Sequence, residues 1–162
     1  MAFTQACFIR KNNPELRKKL EELGHTICKC CEFEGADWLD IITHKDASYT
    51  VHGVGYDGEF DTIYGTLTQQ ERFNEFLKTT KSIDCGENEE LFLALAALRD
   101  DTNENQWFIT QNTMWDEDYN GEITVYYEEG EWLIWGYYSF METRPSDFRK
   151  ATAKEIIEHF KK

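Results

Sequence analysis

Residues 84–98 read Asp-Cys-Gly-Glu-Asn-Glu-Glu-Leu-Phe-Leu-Ala-Leu-Ala-Ala-Leu, and the last eight, Leu91 to Leu98, are apolar on almost every side. A helix of that composition has no polar face to give to water, so it must sit in the middle of the fold. Gly86 or Asn88 marks its start. Glu87, Glu89 and Glu90 place negative charge in the first turn, where the helix dipole is positive. Whatever lies on either side of this segment has to wrap it.

Downstream come four runs of β character: Gln106 to Thr110, Thr113 to Tyr119, Glu122 to Glu128 and Glu131 to Phe140. They are divided at Asn120-Gly121 and Glu129-Gly130, and Asn-Gly between alternating runs predicts a two-residue hairpin turn. Thr152-Ala153-Lys154-Glu155 has the spacing of a capping box and predicts a helix with Ile156, Ile157 and Phe160 turned inward. Upstream, Asn13-Pro14 opens a helix carrying Leu16, Leu20 and Leu23 and ending at Gly24. Short β runs follow at 25–33, 38–43, 48–55 and 60–66. A second capping box, Thr68 to Glu71, then opens a helix with Phe73, Phe76 and Leu77 on one face.

The expectation is an α+β fold of antiparallel meanders with three to four helices. The capping boxes begin 84 residues apart, and each half reads strand, helix, meander, helix. That order suggests a tandem duplication of one unit, 1–80 and 81–162, with a single compact domain as the alternative. A sheet begun by residues 25–66 and completed by 81–140 would remove the duplication.

The chain has 162 residues, 41% of them hydrophobic and 15% aromatic, enough to bury roughly 70% of its unfolded surface. No apolar run approaches a membrane span, and MAFTQACFIRKNN lacks the features of a secretory leader, so a cytoplasmic protein without membrane contact is expected. The five cysteines, an odd number, are then expected to be free thiols.

Several stretches imitate functional motifs. Gly53, Gly55 and Gly58 spell G-x-G-x-x-G, but a dinucleotide site needs a helix to start at those glycines, and none is predicted before Thr68. Asp116, Asp118, Asn120 and Gly121 match the first half of a calcium loop. Its twelfth position is Tyr127 in place of a bidentate glutamate, so an acidic hairpin turn is the expectation. His25, Cys28, Cys30 and Cys31 form an H-x2-C-x-C-C cluster that would need a further zinc ligand, and on a strand Cys31 points away from Cys28 and Cys30. Buried thiols are expected there, with no metal and no cofactor. Cys85, just before a helix start, is the one candidate nucleophile; without a nucleophile elbow, a phosphate loop or H-E-x-x-H, catalysis is not expected.

Charge is the most informative feature. The net charge is −14, and between Asp84 and Glu131 14 acids stand against one base, Arg99, giving that window −13. Such a field opposes nucleic-acid phosphates and anionic membranes and favours a basic partner. Among these acids stand aromatic residues, so the expected partner-binding surface combines Asp116, Glu117, Asp118 and Glu122 with Glu128, Glu129, Tyr126 and Trp135. A strand over 131–140 would be apolar on both faces, and burial of both is the expected outcome.

Three segments resemble small accessory proteins carried by tailed phages and mobile elements of gut bacteria: Phe8 to Gly24 (FIRKNNPELRKKLEELG), Asp84 to Phe108 (DCGENEELFLALAALRDDTNENQWF) and Phe148 to Lys161 (FRKATAKEIIEHFK). They cover a little over a third of the chain, with Glu87 where a threonine cap is usual. The resemblance implies origin and carries no activity and no functional residues with it. Together with the charge it leads to the expectation of a non-enzymatic protein whose acidic second half blocks a basic host defence protein, one that itself binds nucleic acid. The alternative is a sponge for a nucleotide signal in a groove between the halves. That would require converging cations, for which Arg144 and Arg149 are the candidates, with Arg10, Lys11 and Lys150 as the other basic positions.

Overall fold

Asn88 caps the apolar segment: its side chain accepts from the Leu91 amide at 3.0 Å, and helix α2 runs from Glu89 to Ala96. Leu91, Phe92 and Leu95 are fully enclosed. The computed structural model describes residues 3–27, 38–44, 47–54, 78, 81–135, 141 and 144–161. Around α2 it places helix α1 (Pro14–Glu22), strand β1 (Cys7–Ile9) and helix α3 (Ala153–Phe160). Asn88 also donates from Nδ2 to the Phe160 carbonyl at 2.7 Å, tying the start of α2 to the end of α3. One side chain therefore satisfies orphan groups at two helix ends. Asn88→Ala should cost about 2 kcal/mol in denaturant unfolding, and Asn88→Asp, which keeps the cap and loses the donor, about half of that.

Strand β1 is buried at all three positions and lies inside a five-stranded sheet of order β2-β4-β3-β1-β5. The others are β2 (Thr26–Ile27), β3 (Trp38–His44), β4 (Ala47–Val54) and β5 (Ile83–Asp84). β1 pairs antiparallel with β3, Phe8 facing Asp40, and parallel with β5, Cys7 facing Ile83. The side-by-side strands β1 and β5 each lead into an asparagine-capped helix. In both segments leucine stands three, seven and ten residues after the cap, the last just past the helix end: Leu16, Leu20 and Leu23 in one, Leu91, Leu95 and Leu98 in the other.

The remaining strands form two further sheets, β10-β6-β9 and β7-β8. Here β6 is Trp107–Thr110, β7 Met114–Glu117, β8 Ile123–Tyr127, β9 Trp132–Ile134 and β10 Phe148–Lys150. The architecture is α+β with three α-helices among the described residues and mostly antiparallel pairing. Among the described residues only β5 of the second half joins the first sheet, so strands β6 to β9 do not continue the meander of 38–54. The expected strand 60–66 and the helix after Thr68 lie outside the described residues, as do Gly55 and Gly58 of the glycine motif. Strand β10 was not expected. It is a three-residue element, Phe148-Arg149-Lys150, held by pairing to β6 and by one buried anchor, Phe148.

Two clusters make the core. The larger joins β1, α1, α2 and Ile156 of α3; the smaller gathers Phe108, Met114, Leu133, Met141 and Phe148. Strand β9 feeds both, Trp132 packing on the first and Leu133, with Trp135 just after the strand, on the second, so both faces of 132–135 are at least partly packed, while 136–140 of the expected strand lie outside the described residues. Among the described residues no helix is long and apolar enough to cross a membrane.

Candidate functional site: an acidic, two-faced β arm

β6 and β9 pair antiparallel, and the chain continues from them into β7 and β8, which pair with each other. Residues 107–134 are thus one long ribbon, interrupted at 111–113 and 128–131. At the interruption Glu129 donates its amide to Thr113 Oγ1 at 3.3 Å, and Gly130, at φ +87, donates to the Thr110 carbonyl. Met114 is buried, and the Tyr127 ring meets Phe148 edge-on at 6.1 Å, so these two fix the ribbon to the smaller core cluster.

Beyond them every residue from Trp115 to Tyr126 is exposed. Trp115 and Val125 are paired across the strands, as are Asp116 and Thr124, and Glu117 and Ile123. Strand alternation then puts Trp115, Glu117, Ile123 and Val125 on one face and Asp116 and Thr124 on the other. Trp115 is 54%, Ile123 61%, Val125 50% and Tyr126 45% exposed, and Tyr119 at the tip is 98% exposed. With both faces open to solvent, this part of the ribbon is an exposed arm. Large apolar side chains contiguous on such an arm are the composition of a contact surface.

The tip differs from the expected two-residue turn. Asp118 donates its amide to the Glu122 carbonyl at 3.0 Å, and Gly121 donates to the Asp118 carbonyl at 2.9 Å. Gly121 alone takes a positive φ, +81, where a two-residue Asn-Gly turn would require one at Asn120 as well. The loop is therefore Tyr119-Asn120-Gly121, a type I turn closed by a glycine bulge. The cause is Asp118: its Oδ1 accepts from both the Asn120 and the Glu122 amides, at 2.8 and 3.0 Å, which favours the longer loop.

Of the residues expected in the partner-binding surface, Asp116, Glu117, Asp118, Glu122 and Tyr126 are on the arm, and Glu128 and Glu129 are exposed at its base. Trp135 is apart from them, half-buried against Phe108 at 4.9 Å between ring centres. Trp115, Tyr119, Ile123 and Val125 also stand exposed on the arm and were not among the residues expected in that surface. Their alternation with acids was visible, but alternation alone does not say that neither face is covered.

Four of the five basic candidates are engaged locally. Arg149 grips Glu155 with two bonds of 2.9 and 2.6 Å, and together with the capping-box amide of Thr152 this pushes the Glu155 carboxyl down to about 2. Lys150 donates to the carbonyls of Arg99 and Thr102, and burial lowers its pKa. Arg10 pairs with Asp84 and Lys11 with Glu89. Arg144 is exposed.

A cleft of about 530 Å³ does lie between segments of the two halves. Its walls are Leu23 of α1's end, Leu93 and Ala94 of α2, Trp107, Ile134 and Phe160, with Lys19, Glu22 and Glu90 at the rim. Arg144 and Arg149 are not part of its lining.

His25, from the cysteine-rich cluster, is buried: Nε2 donates to the Ala96 carbonyl at 2.7 Å, and its ring lies 4.3 Å from that of Phe3. Cys28, Cys30 and Cys31 lie outside the described residues. Cys85 is buried, its thiol 3.8 Å from the Ile83 carbonyl, and Cys7 is buried beside α2. Among the described residues no group of three His, Cys, Asp or Glu side chains is arranged to hold a metal ion. No protein family, curated protein or solved structure matches this chain.

Proposed function

We propose that the protein is a non-enzymatic binding protein that docks its acidic arm, residues 115–126, onto a basic protein. The observation that carries this reading is the arm itself: Trp115, Ile123 and Val125 open to solvent beside Asp116, Glu117, Asp118 and Glu122. Apolar side chains supply affinity when covered, and the acids steer a basic surface toward them. In the setting implied by the phage resemblance, the partner is a basic, nucleic-acid-binding host defence protein, and docking blocks it.

Sequestration of an anionic nucleotide is less well supported. Arg149 is committed to Glu155, and the cleft between the halves is largely apolar, its rim setting two carboxylates, Glu22 and Glu90, against one cation, Lys19, which suits a phosphate poorly.

The test is a capture from host lysate at low and high salt, followed by association kinetics with the purified basic protein recovered. Replacing Asp116, Glu117 and Asp118 by the amides should slow association about tenfold at low salt and flatten its salt dependence, while the melting temperature stays put. Nucleotide binding abolished by neutralising Arg144 and Arg149, with the amide variant behaving as wild type, would reverse the assignment.

A further inference from the structure

In an antiparallel pair, backbone groups alternate between pointing at the partner strand and pointing away. The bond from the Asp118 amide to the Glu122 carbonyl fixes that phase in the arm. Counting back along the register, Asp116 and Thr124 bond to each other, whereas Trp115, Glu117, Ile123 and Val125 turn their amides and carbonyls outward. The two outer edges are not equivalent. On β7 the outward amide of Glu117 is taken by Asp116 Oδ1 at 2.9 Å. On β8, among the described residues, no further strand lies beside the outward groups of Ile123 and Val125.

From this edge we infer that the arm, on the reading given under Proposed function, receives its basic partner by strand addition: an extended segment of that partner becomes the third strand, alongside β8. A two-stranded ribbon has little stability of its own, and a third strand completes a sheet. The chemistry of the incoming strand follows from the two faces. On the face of Ile123 and Val125 it carries β-branched or aromatic residues, which extend the apolar row begun by Trp115. On the other face it carries Lys or Arg, whose long side chains reach the acids at the two ends of β8, Glu122 and Glu128. Alternation of cation and apolar residue is thus the recognised pattern, beyond net charge alone. A second copy of this chain fits poorly, because it would bring the same acids together across the new edge.

The experiment uses the full chain and a labelled ten-residue peptide of alternating Lys and Val, read by fluorescence anisotropy. Two comparison peptides have the same composition: one N-methylated at alternate residues, which cannot complete a strand ladder, and one with lysines and valines in blocks. Wild-type protein should bind the alternating peptide at least tenfold more tightly than either. Val125→Pro removes an outward amide and leaves the bonds to β7 intact, so it should abolish that preference while keeping the weak, salt-sensitive binding common to all three. Equal affinity for the three peptides, lost when Asp116, Glu117 and Asp118 become amides, would overturn strand addition and leave the acidic arm as the binding site. Binding of none of them would overturn both. Sedimentation showing a dimer that Val125→Pro dissolves would make a second copy the occupant and overturn the proposal.

Discussion

Lowering the pH from 7 to 4 should remove about 3 kcal/mol of stability through one side chain, His25. Burial is the main reason its pKa falls from 6.5 to about 4; the bond to the Ala96 carbonyl opposes the fall, and the nearby charge of Arg99 adds to it. The folded protein therefore holds a neutral imidazole where the unfolded chain binds a proton, and below pH 6.5 protonation favours unfolding. Stability should be flat above about pH 6.5, fall by up to about 1.4 kcal/mol per pH unit below it, and level off below about pH 4 as far as His25 is concerned. The Arg149–Glu155 pair acts in a lower window. With the Glu155 carboxyl held near 2, its contribution is present above the ordinary carboxylate range and is lost as the pH drops from about 4.5 toward 2. Urea unfolding at intervals from pH 7.5 to 2 separates the two. His25→Gln, which keeps a donor for Ala96, should flatten the upper slope and leave the lower one. An unchanged slope in that variant would show that His25 does not govern the loss.

Local signals were legible wherever a short segment settles its own conformation. The caps at Asn13, Asn88 and Thr152 are all used, Thr152 and Glu155 forming the reciprocal capping box that their spacing predicts. The apolar run 91–98 is central because an all-round hydrophobic helix has only one place to go. Tertiary pairing was harder to read. Strand β10 has two charged residues out of three, and only its partner β6 makes it a strand. The parallel contact of β1 with β5 joins segments more than 70 residues apart, which no local pattern encodes. At the arm, the acids were legible from their density, whereas the open apolar face was not, since burial depends on what the rest of the chain covers.

Phe92→Ala and Trp115→Ala should differ in cost by several kcal/mol although both delete a large aromatic side chain. Phe92 is fully buried in α2 and belongs to the main core cluster, so its removal leaves a cavity and should cost about 3–5 kcal/mol. Trp115 is more than half exposed on the arm, and its partner across the strands is Val125. Losing it should cost no more than about 1 kcal/mol, the range of a single cross-strand pair. A protein that keeps a tryptophan in water at so little gain in folding needs another use for it, and a contact surface supplies one. Trp115→Ala should accordingly weaken partner binding more than tenfold while the unfolding midpoint barely moves, whereas Phe92→Ala should lower the midpoint and leave the affinity of the remaining folded protein unchanged. The pair of variants thus separates the part of the chain that folds from the part that binds. A Trp115→Ala protein destabilised by as much as Phe92→Ala would mean that the arm packs against the body, and its apolar face could not serve as the docking surface.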